Sequence, residues 1–300
     1  MAGPAHPLPL APAVSPRRGP AARSRGIRRF ARLHTLGAFG ALVLLAMTLA
    51  AIFAPWLAPY DPLGTDYSRL IRPPSLAHPL GTDHFGRDVL SRLIFGARTA
   101  LLVGLVSSVV SATLGAAVGA TTAYFGGTVD LLAQRLTDIL LSFPLIVLAI
   151  AVVAVVGTGT LPVIMAIIVP MLPRATRVVR ASTLAICQQP YVEAAHGLGL
   201  GHMRIIGRHL LPNVMAPYLV MLTAFLAEVI VLEASLSFLG LGVVEPTAAW
   251  GLMLRDFAGQ YAEAAPWLPL APGAAISLAV FGFNLFGDAV RDALDPRLRR

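Results

Sequence analysis

The feature that most constrains this chain is a set of long apolar runs. A helix needs about 20 apolar residues to cross the hydrocarbon layer of a bilayer. Leu36–Ala58, Leu101–Phe125, Asn213–Leu236 and Leu268–Phe286 all reach that length. Ile139–Pro173 is free of charge but too long for one helix, and its middle reads GTGTLP (Gly157–Pro162). That turn signal divides it into a hairpin of two spans, giving six in all. Only helices or closed barrels satisfy the backbone in lipid. A barrel would show alternating segments of about ten residues, whereas these runs are continuous. The expected class is all-α, a polytopic membrane protein with six transmembrane helices. Composition agrees: 56% of residues are hydrophobic and 13% charged, where a soluble domain carries about 25% charged.

The runs divide the chain into parts. Residues 1–35, rich in Pro, Ala and Arg, are expected to be a disordered basic tail. The apolar run after Arg32 is longer than a signal-peptide core and has no clear cleavage site, so it reads as an uncleaved first span. Residues 36–98 hold that span and a long loop. Residues 99–300 hold the other five spans and a polar loop at 190–212. No internal repeat is visible, which disfavours folds built on repeated halves. The single Cys187 excludes an internal disulfide.

The net charge is +8, and every basic residue is arginine. The arginines are dispersed among the apolar runs, which argues against a nucleic-acid partner and for a topological role. With both termini cytoplasmic, the inner side receives Arg17, Arg18, Arg23, Arg25, Arg28, Arg29, Arg32, Arg135, Arg174, Arg177, Arg180, Arg204, Arg208, Arg291, Arg297, Arg299 and Arg300. The outer side receives Arg69, Arg72, Arg87, Arg92, Arg98 and Arg255.

This orientation makes YVEAAHGLGLGHMRIIGRHLLPN (Tyr191–Asn213) a cytoplasmic loop between the fourth and fifth spans. Pro190 suits the first turn of a helix, and Glu193 near that end is favoured by the dipole. Gly197, Gly199 and Gly201 permit a sharp bend. A second short helix over His202–Leu211 would place Met203, Ile206 and Leu210 on one face and Arg204 and Arg208 opposite. Such a helix could rest on lipid headgroups or dock to a partner protein. The glycine cluster favours docking, since a surface-lying helix needs no hinge.

Glu193-Ala194-Ala195, three residues, Gly199, nine residues, then His209-Leu210-Leu211-Pro212 resembles the cytoplasmic signature of ABC-importer permeases. His209 stands where the general pattern has Ile, as is common in the peptide and nickel branch. HPLGTDHFGRDVLSRLIFGAR (His78–Arg98), YFGGTVDLLAQRLTDILLSFP (Tyr124–Pro144), EASLSFLGLG (Glu233–Gly242) and GDAVRDALDPRLR (Gly287–Arg299) are similar to segments of the C-type subunit of dipeptide, oligopeptide and nickel importers. The resemblance runs from about Leu36 onward. It implies the type I importer permease fold and a coupling loop, with Glu193, Ala194, Ala195, Gly199, Arg204, Arg208, Leu211 and Pro212 seated in a cleft of the ATPase. It also implies a heterodimer with a B-type permease, two ATP-binding subunits, an extracytoplasmic binding protein and a bacterial inner-membrane location. The resemblance calls for no cofactor and no catalytic residue. Independently, a Walker A site needs a lysine, and this chain has none.

Other candidates are weaker. Glu228 and Glu233 are acids inside a span, which makes function the default hypothesis. For Glu233 an interhelical hydrogen bond is expected; for Glu228 pore lining and a structural pair both stay open. The rival class is an ion-coupled secondary transporter working through these two acids. Arg174, Arg177 and Arg180 are expected to snorkel toward lipid phosphates. His78, His84, Asp83 and Asp88 read as a packed loop rather than a metal site.

The orientation has a direct check. In a chain whose Cys187 is replaced, Ser75→Cys should react with an impermeant thiol reagent from outside, and His202→Cys only after the membrane is opened. Labelling of His202→Cys in intact cells would reverse the topology.

Overall fold

The computed structural model describes residues 35–259 and 261–294. The basic tail, apart from Thr35, and Arg297, Arg299 and Arg300 lie outside the described residues. The described chain is helical with no strand; one isolated bridge joins Thr82 and Asp88.

Helix α1 spans Thr35–Ile52, and one further turn follows at Ala54–Leu57. Helix α2 spans Val89–Phe125, starting twelve residues before the apolar run. Asp88 caps it, accepting from the Ser91 N–H at 2.8 Å, and so satisfies one of the orphan donors of the first turn. Helix α3 (Gly127–Leu141) and helix α4 (Leu145–Val156) meet at a 93° bend. The bend falls at Pro144, which has no N–H to donate and disfavours helix in the residue before it. The span expected from Ile139 is thus met by two helices joined at a sharp bend.

Gly157 and Gly159, both at positive φ, make the turn that GTGTLP predicts. Helix α5 then spans Thr160–Cys187, well past Pro173, where the apolar run ended. The sequence reading stopped at Arg174 because an isolated charge ends a span; here that charge has a partner. Two short helical segments, α6 (Pro190–Gly197) and α7 (His202–Ile205), precede a π turn at Ile206–Leu210. Helix α8 (Leu211–Phe238), helix α9 (Trp250–Ala258) and helix α10 (Trp267–Leu294) complete the chain. Five helices (α1, α2, α5, α8 with its preceding turn, and α10) are long and apolar enough to cross a membrane, and the count is six if the bent α3–α4 pair is one span.

The helices enclose two apolar cores. One joins α2, α5 and α8 through Ile167, Met171, Val179, Phe225 and Val229. The other joins α1, α2, α8, α9 and α10 through Met47, Ile230, Trp250, Met253 and Phe283. The α2–α5 contact is the most extensive, and small residues allow it. A Cβ at Gly115 would meet Ala175 Cβ and lie 2.7 Å from the Leu172 carbonyl oxygen; one at Gly119 would meet the Thr176 carbonyl. Without a hydrophobic drive between helices in lipid, such close backbone approach supplies the packing.

Gly119→Val should therefore separate α2 from α5. Overpacking of this kind costs about 1–3 kcal/mol or more. The expected result is a lower thermal unfolding temperature in detergent; unchanged melting would show that the helices yield freely.

Candidate functional site

The loop between α5 and α8 forms a helix-turn-helix whose hinge can be traced atom by atom. Helix α6 begins with Pro190 in its first turn and carries Glu193 there. It ends in a Schellman motif: the Gly199 N–H donates to the His196 carbonyl at 2.9 Å and the Leu200 N–H to the Ala195 carbonyl at 3.2 Å. This closure needs a left-handed residue at the position of Gly199, and Gly199 has φ +73°. Gly197 and Gly201 have no positive φ. Of the three glycines expected to share the bend, one therefore does the turning. A Cβ on Gly199 would meet nothing within 4 Å.

The second arm departs from its expected register. Ile205 and Leu210 are fully buried, and Met203 is 82% exposed. Of the expected face Met203, Ile206 and Leu210, Leu210 is buried and Ile206 half-buried, while Met203 points outward and Ile205 takes its place. The π turn accounts for the change: i→i+5 hydrogen bonding widens the turn and aligns residues five apart. The inner face packs Val192, Ala195 and Ile205 on Tyr124, Ile186 and Leu200. Tyr124, near the end of α2, hydrogen-bonds His202 through its hydroxyl and Nδ1 at 2.8 Å, and its ring stacks on His196 at 5.8 Å. Sequence reasoning had Tyr124 only as the first letter of a motif. Its tie to the loop joins residues 78 apart in sequence. Glu193, Ala194, Gly199, Arg204, Arg208, Leu211 and Pro212 are all exposed, and Ala195 faces inward. Leu198, at 81% exposed, joins Met203 as an outward apolar knob.

Three arginines of α5 find acidic partners within the chain. Arg174 pairs with Glu228 of α8, Arg177 with Asp138 of α3, and Arg180 forms a two-pronged pair with Asp130 of α3 at 2.7 and 2.6 Å. The expected snorkelling to lipid phosphates is replaced by a ladder of ion pairs. A guanidinium fork matches carboxylate geometry, and intrachain pairing removes the need to reach the headgroups. Glu233 is buried, and its carboxylate accepts from the Ser237 hydroxyl at 2.8 Å. Ser237 in turn accepts from the Val243 N–H at 3.2 Å. The expected interhelical bond is corrected: the partner lies one turn along the same helix and links it to the following loop.

In the long loop, Asp83 holds Arg87 at 2.6 Å, and Glu245 holds Arg87 at 2.9 Å and Arg92 at 3.1 Å. Burial works to lower the pKa of Arg87, but the adjacent Asp83 charge and the hydrogen bonds to Glu245 and Asp83 outweigh it and leave it raised. Glu245 was not singled out from sequence, since nothing local marks a residue whose partners lie about 150 positions away. His78 bonds Asp88 at 2.9 Å, and His84 stacks on Tyr261. Among the described residues no cluster of His, Cys, Asp and Glu could hold a metal ion.

The bundle and its loop define a class. The architecture is that of an ABC importer permease: it matches a chain of the MetNI methionine ABC transporter, solved inward-facing, with TM-score 0.57 and 19% identity over 68% of this chain and 96% of that one. Residues 89–300 match the model of the binding-protein-dependent transport system inner membrane component, and the chain belongs to that family. Residues 24–78 match the N-terminal TM domain of oligopeptide transport permease C, reaching further back than the Leu36 set by the motifs. A provisionally named peptide transport system permease protein of Brucella abortus biovar 1 is 43% identical over 91% of both chains. The glutathione transport system permease protein GsiD of Escherichia coli O1:K1 is 41% identical over 91% of this chain and 89% of its own. The ion-coupled alternative finds no support: the family is a transport component of another class.

Glu233→Gln should keep most transport, because the amide oxygen still accepts from Ser237. Glu233→Leu should lose more, since it orphans the buried hydroxyl at about 1–3 kcal/mol. Complete loss with Gln at normal membrane abundance would show that the negative charge itself is required.

Proposed function

We propose that this chain is the C-type permease half of a peptide importer and that Glu193–Pro212 is where ATP-binding subunits drive it. The observation that carries the reading is the loop's two-sided construction. Its inner face is fixed to the ends of α2 and α5 by Tyr124 and Ile186, and its outer face presents Glu193, Leu198, Met203, Arg204 and Arg208 with no partner among the described residues. Two exposed apolar knobs among charges suit a cleft in another protein better than water. A headgroup anchor would instead turn one continuous apolar face outward, and here Ile205 and Leu210 face in.

The mechanism follows from these attachments. Closure of the ATPase pair displaces the loop. The loop is covalently joined to α5 and α8 and clasped to α2, so all three long helices receive the push. The spans then shift between inward and outward openings, a change of population driven by the nucleotide's differential affinity for the two states. In this reading ATP hydrolysis belongs to separate chains, the second half of the path to a B-type permease, delivery of substrate to an extracytoplasmic binding protein, and both termini to the cytoplasm of a bacterial cell. The names of the relatives, a peptide system and a glutathione system, favour a small peptide as cargo.

Gly199→Val tests the reading. A β-branched residue is strained at positive φ, so the Schellman turn should open while the spans insert normally. Expected are near-normal membrane abundance and weakened co-purification of the ATP-binding subunits, or ATP hydrolysis uncoupled from transport. Leu198→Asp and Met203→Asp should weaken the same association. Full coupling in all three variants would sink the coupling role.

A further inference from the structure

Helices α4, α8 and α10 border an open cleft of about 630 Å³. Most of its lining is aliphatic, but Glu228, Ser235 and Asn284 also face into it. Glu228 lies seventeen residues after Leu211 and ten before Phe238, deep within α8, and its partner Arg174 is at the middle of α5. Their side chains are 40% and 43% exposed. Arg177 and Asp138 are half-exposed as well, so the polar stripe continues along α5. Charged groups at such depth are rare on lipid-facing surfaces and mark water-filled or protein-lined cavities. The contrast within the molecule is clear. The cleft between α1, α2 and α10 is lined by Val43, Met47, Leu93, Trp250, Leu278 and other apolar side chains, without one charge. Lipid chains suit that face and not the one bearing Glu228.

We infer that the α4–α8–α10 cleft is a wall of the translocation path and takes the cationic amino end of a peptide at Glu228; this rests on the importer reading above. The lining supplies a carboxylate, a hydroxyl and a carboxamide, while Arg174 is not among the lining residues. Arg174 bonds Oε1 of Glu228, so an ammonium group followed by peptide units would share that carboxylate through its other oxygen and meet the hydroxyl and carboxamide beside it.

The test uses the full transporter in membrane vesicles, with Cys187 replaced by Ala. Asn284→Cys and Ser235→Cys are reacted with two impermeant methanethiosulfonates, one carrying a trimethylammonium group and one a sulfonate. Leu278→Cys, from the apolar cleft, serves as the comparison. Expected is reaction at 284 and 235 and none at 278, with the cationic reagent about tenfold faster once each rate is divided by that of the same reagent with a free thiol, as field focusing in a cleft allows. Adding Glu228→Gln, which leaves Arg174 without its acid, should abolish or reverse that preference and leave the sites reactive. Protection of 284 and 235 in every nucleotide state, a rate blind to reagent charge, or a preference that survives Glu228→Gln would each overturn the inference. Co-purification of the ATP-binding subunits is scored in the same preparations. Its absence would count against the importer reading, whereas a charge-blind cleft in a complex that retains them would overturn only this inference.

Discussion

A guanidinium inside a membrane bundle needs a carboxylate at hand, and the arrangement of this molecule follows from how that need is met. Arginine stays charged at any physiological pH, so Arg174, Arg177 and Arg180 cannot be neutralised by losing a proton. Each instead meets an acid from another helix: Glu228 on α8, Asp138 and Asp130 on α3. The Arg174 and Arg177 pairs are exposed within the chain, and pairs of that kind contribute only about 0–1 kcal/mol. The pairs therefore act less as a source of stability than as a specification of which helices lie beside α5.

The same helix is held from its other side by contact of a different kind. Gly115 and Gly119 bring the α2 backbone against Leu172, Ala175 and Thr176, an approach that no side chain larger than hydrogen would permit. Helix α5 thus sits between a close-packed seam and a charged ladder, and its end continues directly into the short helices of the polar loop. Because Tyr124 and Ile186 close the inner face of that loop, a displacement there is shared by α2 and α5. The long outer loop follows the same rule on a smaller scale. Arg87 and Arg92 counted against the charge asymmetry along the chain, yet they are held by Asp83 and Glu245 and are no free topological signal.

The sequence by itself determined the membrane class, the approximate place of the spans, the hairpin turn at Gly157–Gly159 and the polar loop with its glycine hinge. These are local properties. Hydropathy, turn chemistry and the need for φ > 0 at a Schellman glycine are written in consecutive residues. What only the tertiary structure decided is which side chains meet. Nothing in the periodicity announces a π turn, so Met203 was placed on the apolar face; Leu210 is buried as expected, and Ile205 rather than Met203 joins it. Charge was read as the end of a span, so α2 and α5 were drawn too short. Tyr124 with His202, Arg174 with Glu228, and Arg87 with Glu245 join residues far apart in the chain. Such partnerships are absent from sequence spacing because they arise from helix packing, which brings distant positions side by side.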